Sequence, residues 1–134
     1  MSITHIPGSV RRKIVERAGN RCEYCLLPAE VGFFPHEIDH VIAEKHGGKT
    51  ETDNLAYACW RCNRHKGTDL GSFDPETNGF SPLFNPRTQV WTDHFEFHGE
   101  QIVGSTPEGR TTVSLLQLNN NNRVAERTTL RVIT

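Results

Sequence analysis

The residues of this chain that could do chemistry lie between Cys22 and Gly67. Asp39-His40 sets a carboxylate beside an imidazole. Asn54 and Asn63 contribute amides, Arg61, Arg64, His65 and Lys66 form a tight cationic cluster, and four thiols are paired as Cys22-x-x-Cys25 and Cys59-x-x-Cys62. An imidazole, with an ordinary pKa of ~6.5, is neutral at working pH and can take a proton from water. A carboxylate is a hard oxygen ligand suited to Mg²⁺ or Mn²⁺. A two-residue spacer in a tight knuckle aims both its sulfurs at one point, near the ~2.3 Å Zn–S distance.

Hydrolysis of a phosphodiester needs a base to activate water and a cation to offset charge on the phosphorane and the leaving oxygen. His40 suits the first need and a divalent ion on Asp39 the second. Neighbours on a strand point apart, so metal and water would stand on opposite sides of one phosphate. Asn63 directly follows the fourth thiol, so a bound zinc fixes its direction, and its carbonyl oxygen can join Asp39 as a ligand. Asn63 and Lys66 share a face of the predicted helix, which lets Lys66 hold a non-bridging phosphate oxygen. Asn54 is suited to tying backbone groups across a loop and steadying His40. Arg61, Arg64, His65 and Lys66 are the candidate nucleic-acid contacts, with His65 open between phosphate and solvent.

Positioning these groups requires a small α+β fold. The pattern predicts a helix from Ser9, capped by Ser9 and ended by Gly19-Asn20. A loop over 26–35 follows, with Phe33 and Phe34 tucked inward. A strand over 36–42, a polar loop turning at Gly47-Gly48, a return strand over 54–58 and a helix over Trp60 to about Asp69, ending near Gly67 or Gly71, come next. Trp60 reads as a core anchor, and Lys13 and Arg17 as solvated charge. Residues 72–89 read as an irregular surface loop pinned by Phe73, Phe80 and Phe84. Strands over 90–97 and 101–105, a turn over 106–109, a helix over 113–118 capped by Thr111 or Thr112, and a last helix over 123–133 complete the chain. His36 reads as a supporting or surface residue, His46 as loop surface, and His94 as packed and hydrogen-bonded.

The 134 residues suit a single domain, 1–134, with a core over about 21–70 and an extension over about 72–134. With 35% apolar residues and a mean hydropathy of −0.55 the core is small, so a metal staple would help it fold. Paired C-x-x-C knuckles in a reducing compartment indicate structural zinc rather than disulfides. No apolar run reaches the ~20 residues of a membrane span and residues 1–8 read as a loose lead-in without a secretory pattern, so the expected location is cytoplasmic. The net charge of −1 gives weak steering toward nucleic acid, but the cluster over 61–66 and Arg110, Arg123, Arg127 and Arg131 suggest local basic faces.

The ordered set Cys22-x-x-Cys25, Asp39-His40, Gly47-Gly48, Asp53-Asn54-Leu55 and Cys59-x-x-Cys62-Asn63-x-x-Lys66-Gly67 resembles the HNH endonuclease family, in the branch braced by a four-cysteine zinc site. The resemblance covers roughly Arg21 to Leu70. It implies a ββα-metal (His-Me finger) core, His40 as general base, Asn54 as the central asparagine, and Asn63 in the place of the last histidine, favouring Mg²⁺ or Mn²⁺ there. It implies DNA as substrate, held mainly by its backbone, with 5′-phosphate and 3′-hydroxyl ends. The stretch from Leu83 to Leu118 also resembles an extension found in bacterial HNH proteins. Two rival readings are a non-catalytic zinc-ribbon module binding nucleic acid through Arg61, Arg64 and Lys66, and a zinc-stabilised protein adaptor. Neither needs the Asp39-His40, Asn54 and Asn63 set.

Overall fold

Pro7, with its extended ψ of 148°, leads into helix α1 (Gly8–Arg17), in a computed structural model that describes residues 5–133. Residues 1–4 of the lead-in and Thr134 lie outside the described residues. Ser9 falls inside α1, and no side chain caps the helix. Ile14 is buried against Leu55 and Tyr57, with Val10, Val15 and Ala18 packed around them. Gly19 and Asn20, at φ 64° and 58°, stop the helix in the left-handed region. Arg17 is exposed, as surface charge is, but it also makes contacts. Its guanidinium donates to the carbonyls of Thr52 (2.8 Å) and Leu55 (2.6 Å), tying α1 to the segment it covers.

Strand β1 (Glu37–His40) pairs antiparallel with β2 (Leu55–Ala58), setting Asp39 opposite Ala56 and His40 opposite Leu55. The intervening loop turns through a 3₁₀ segment at 44–46 that ends on Gly47 at φ 89°. Gly48 is held by space, since a Cβ there would stand 1.7 Å from the Ile42 carbonyl oxygen. Helix α2 (Trp60–Lys66) follows β2 at once. The Cys59 thiol caps it by accepting from the Cys62 N–H, and Gly67, the earlier of the two expected stops, closes it.

The rest of the chain departs further from the sequence pattern. Within the expected loop, β3 (Gly71–Phe73) and β4 (Phe80–Pro82) form a hairpin. Phe84 is buried as expected, but Phe73 and Phe80 stand exposed with their rings 5.7 Å apart. Residues 91–93 make a 3₁₀ turn, so β5 (Phe95–His98) starts late before it pairs with β6 (Gln101–Gly104). The expected turn at 106–109 is the start of α3 (Pro107–Leu115): Thr106 Oγ1 accepts from the Gly109 N–H, and proline opens the helix without losing a needed donor. Thr111 and Thr112 are buried inside α3 rather than capping it. Helix α4 (Asn121–Ile133) is the last of the described elements.

One apolar cluster runs from the cysteines and Tyr24 through Ala56 and Ala58 to Phe84, Phe95, Ile102, Leu116 and Leu118. The C-terminal extension therefore closes over the thiols rather than standing apart. Trp91 reinforces this by donating to the Tyr24 carbonyl at 2.9 Å, and Arg87 pairs with Glu23. The fold is mixed α and β, and no described helix is long and apolar enough to cross a membrane.

Candidate active site

The four sulfurs of Cys22, Cys25, Cys59 and Cys62 lie within 4.8 Å of one another, all buried. A tetrahedron with ~2.3 Å Zn–S bonds has edges of about 3.8 Å, and Cys25 and Cys59 stand 3.7 Å apart. The thiols fit zinc. Backbone N–H groups turn toward them, from Tyr24 and Cys25 onto Cys22 Sγ and from Cys62 onto Cys59 Sγ, each at 3.4 Å. Because Cys59 caps α2 and Cys62 lies in its first turn, the cluster sets the position of the whole helix.

Beside this cluster lies a cleft of about 730 Å³ whose walls include Glu37, Asp39, His40, Glu44, Lys45 and Asn63. His40, buried at the end of β1, has Nε2 2.9 Å from Thr50 Oγ1 and 3.9 Å from Glu44 Oε1. Asn54 fastens the loop behind it. Its Oδ1 accepts from the Ile42 N–H, and its Nδ2 donates to the carbonyls of Ile42 and Lys49, each at 2.9 Å. At the other end of the cleft, Asn63 Nδ2 donates to Glu37 Oε1 at 2.8 Å, so the amide carbonyl is the end turned away from that contact.

Asp39 is only 4% exposed. Its carboxylate accepts from the Tyr24 hydroxyl at 2.7 Å and from Lys66 Nζ at 3.2 Å. Burial raises its pKa, against the downward pull of Lys66 and Tyr24. Tyr24 is itself pushed up by burial and by the Asp39 charge. Lys66 departs from the sequence expectation. It is 2% exposed and its ammonium is turned inward, onto Asp39 and the His40 carbonyl at 3.0 Å. An internal ion pair takes the place of the expected surface phosphate contact.

The basic cluster does not present four free cations. Arg61 pairs with Glu126, and His65 is half-buried with its pKa lowered by burial and by Arg123, Arg61 and Arg64. Arg64 alone of the four is fully at the surface. The cations on the cleft walls are instead Arg11 and Lys45. The C-terminal arginines make no basic face either: Arg110 pairs with Asp74, Arg131 with Glu100, and Arg127 donates to the carbonyls of Glu100 and Leu118. Of the other histidines, buried His36 meets the Leu27 carbonyl, exposed His46 meets the Thr68 carbonyl, and His94 meets Thr106 beside the Phe84 ring.

The HNH endonuclease family model matches residues 22–69, the span that holds both knuckles, β1, β2 and α2. Residues 22–69 are thus similar to an HNH domain. A curated relative, the Septu protein PtuB of Bacillus thuringiensis, is 25% identical over 117 residues, covering 86% of this chain and 43% of that protein. The chain thus spans less than half the length of the relative it matches. No solved structure matches.

The site leans on residues that sequence spacing did not single out. Glu37 shares the strand face of Asp39, an alternation that could have exposed it. Thr50 and Tyr24 carry no periodic signal. Arg123, 3% exposed, comes from α4 to set Nη2 2.9 Å from Cys62 Sγ while Nη1 donates to the Leu116 carbonyl at 3.1 Å. Four thiolates on one Zn²⁺ carry excess negative charge, which this guanidinium faces directly.

Proposed function

We propose that the chain is a metal-dependent HNH endonuclease of one domain with a ββα-metal core, hydrolysing DNA phosphodiester bonds. The observation that carries this reading is that Asp39, His40 and Asn63 line one cleft while the thiols fix the helix that bears Asn63. The donors suit a hard cation: an acidic oxygen on Asp39 and an amide oxygen on Asn63 are the ligand types Mg²⁺ and Mn²⁺ take, with water filling the remaining positions. Asp39 and Asn63 would hold that ion, which when bound supplies charge compensation at the phosphate and leaving oxygen.

His40 acts as general base. The Thr50 hydroxyl engages Nε2, so Nδ1 is the nitrogen that takes the proton from water as the oxygen attacks phosphorus in line. Bond formation at phosphorus displaces the 3′ oxygen, leaving 5′-phosphate and 3′-hydroxyl ends. Asn54 holds the Ile42 backbone immediately after the strand that bears His40, and so positions the imidazole. Lys66 acts through Asp39 and the His40 carbonyl rather than on the phosphate. Arg11 and Lys45, with Arg64 at the rim, are the cations suited to the backbone of the substrate, a sequence-independent mode of contact.

The test is cleavage of supercoiled plasmid by wild type and His40→Ala, with Mg²⁺ or Mn²⁺ added or withheld, on protein carrying one zinc. Nicking or linearisation that needs the added metal and vanishes in His40→Ala at unchanged zinc content supports the reading. DNA binding without cleavage by either protein turns it into a zinc-stapled binding module.

A further inference from the structure

The residues flanking the cleft on the Glu37–Asn63 side are unlike the rest of the surface. Phe33 and Phe34, expected to be tucked inward, are 81% and 48% exposed. Their rings stand edge-to-face at 4.9 Å, and Phe34 meets Trp60 edge-to-face at the same distance. Trp60, expected to be a core anchor, is half-exposed in the first turn of α2. The guanidinium groups of Arg61 and Arg64 lie 5.1 Å and 5.5 Å from its ring centroid. Single exposed apolar residues are ordinary, but three contiguous aromatic rings under two arginines have little stabilising role in the monomer and invite association.

Their location gives the cluster a use. Trp60 precedes Asn63 by three residues on α2, a rise of ~4.5 Å along the axis, comparable to the ~3.4 Å per nucleotide of a nucleic-acid strand. Phe34 precedes Glu37 by three residues, and Glu37 is bonded to Asn63. The ring cluster and the cleft are thus joined at the start of β1 and the first turns of α2, on the scale of a nucleotide step. Aromatic faces bind any base by stacking, and arginine adds cation–π and phosphate contacts. A paired base has both faces occupied by its neighbours and cannot use such a platform. The other exposed aromatic pair, Phe73 and Phe80, lacks this complement: its hairpin carries Asp74 and Glu76, whose charge is answered by Arg110 within the protein.

We infer that Phe33, Phe34, Trp60 and Arg64 form a stacking platform for an unpaired nucleobase next to the phosphate to be cut, so that the favoured substrate is single-stranded or locally unpaired nucleic acid. This rests on the nuclease reading of the same cleft but is tested by binding, which needs no cleavage.

The probes are fluorescent single-stranded DNA, single-stranded RNA of the same sequence, and the blunt DNA duplex. Each is titrated by anisotropy into zinc-loaded full-chain protein carrying His40→Ala, without added Mg²⁺. The platform predicts tighter binding to a single strand than to the duplex. Phe33→Ala with Phe34→Ala weakens single-strand binding about tenfold, the size of one lost base–aromatic stack, and leaves the duplex affinity unchanged. Phe34→Trp retains single-strand binding. Whichever strand responds identifies the sugar. Single-strand affinity that the double alanine variant leaves unchanged overturns the inference, and is the result a protein-docking surface would give. Equal loss on all probes at full zinc content overturns it as well. Selective single-strand binding, with neither plasmid nor single strand cut by the wild type in Mg²⁺ or Mn²⁺, removes the nuclease reading and keeps the platform. Cleavage of duplex unaffected by the double variant does the reverse.

Discussion

Two aspartates, one in the span similar to HNH endonucleases and one in the C-terminal extension, are both nearly inaccessible and both paired with a cation, yet their chemistry diverges. Asp74 accepts from Arg110 through two parallel N–H donors at 3.0 and 2.8 Å, from the Glu76 N–H at 3.0 Å and from Thr77 at 3.1 Å. Arg110 leads in holding its carboxyl well below the usual range. Asp39 has one ammonium at 3.2 Å and one phenol, and burial wins, raising its carboxyl. A bidentate guanidinium with two further donors compensates a carboxylate fully, whereas a single lysine does not. Asp74 is built to stay as it is and staples the β3–β4 hairpin to α3. Asp39 sits on a cleft wall with its charge under-compensated, a state that bound cations relieve. Unequal compensation separates a structural ion pair from one suited to chemistry.

The largest effect follows from breaking the Asp39 pair on one side. Lys66→Met leaves a buried carboxylate beside a buried phenol, and a loss of about 3–5 kcal/mol is expected in chemical denaturation. Asp39→Asn with Lys66→Met removes both charges and should recover most of that stability while plasmid cleavage stays abolished. Stability and cleavage recovering together would erase the distinction drawn between the two aspartates.

A third buried charge, Arg123, tests whether compensation also serves the thiols. Arg123→Met removes the donor to Cys62 Sγ, and zinc transfer to a coloured chelator should accelerate about tenfold, within the range for lost outer contacts to metal ligands. Asp74→Asn should leave zinc transfer at the wild-type rate. Thr50→Val affects the cleft alone: it frees His40 Nε2 and should lower kcat about tenfold, a part of the ~10²–10⁴ a positioned base contributes. Zinc content and denaturation midpoint should hold.

What could be read from the sequence was local. The C-x-x-C knuckles, the Asp39-His40 strand and its return strand, and the helix entered from Cys59 are fixed by spacings of a few residues, and the structure has these elements close to where the pattern put them. Contacts across long separations were not legible. Lys66 looked like a surface lysine because its partner is 27 residues away, and Arg123 like part of a basic face because Cys62 is 61 away. Thr106-Pro107 carried a valid helix-start signal but was read as a turn, since proline and glycine mark both. Hydrophobicity alone points Phe33 and Phe34 inward, which holds for a core and fails for rings that pack on one another at the surface.

The smallest effect at neutral pH belongs to Asp74→Asn, and its pH dependence is the most telling. The amide keeps the shape of the side chain and an acceptor for Arg110 and the Glu76 N–H, so only the charge is lost. A carboxyl held below its unfolded value of ~3.9 binds its proton less readily in the folded chain. Its stabilising contribution is therefore fully present above that value and fades as pH falls toward the folded value. The substituted amide cannot titrate, so the stability gap between wild type and Asp74→Asn should be constant from neutral pH down to about 5 and close progressively below pH ~4. Urea denaturation across that range reads the gap directly. A gap that persists unchanged through the acid range would mean that shape, not charge, holds the hairpin to α3, and the contrast with Asp39 would have to rest on burial alone.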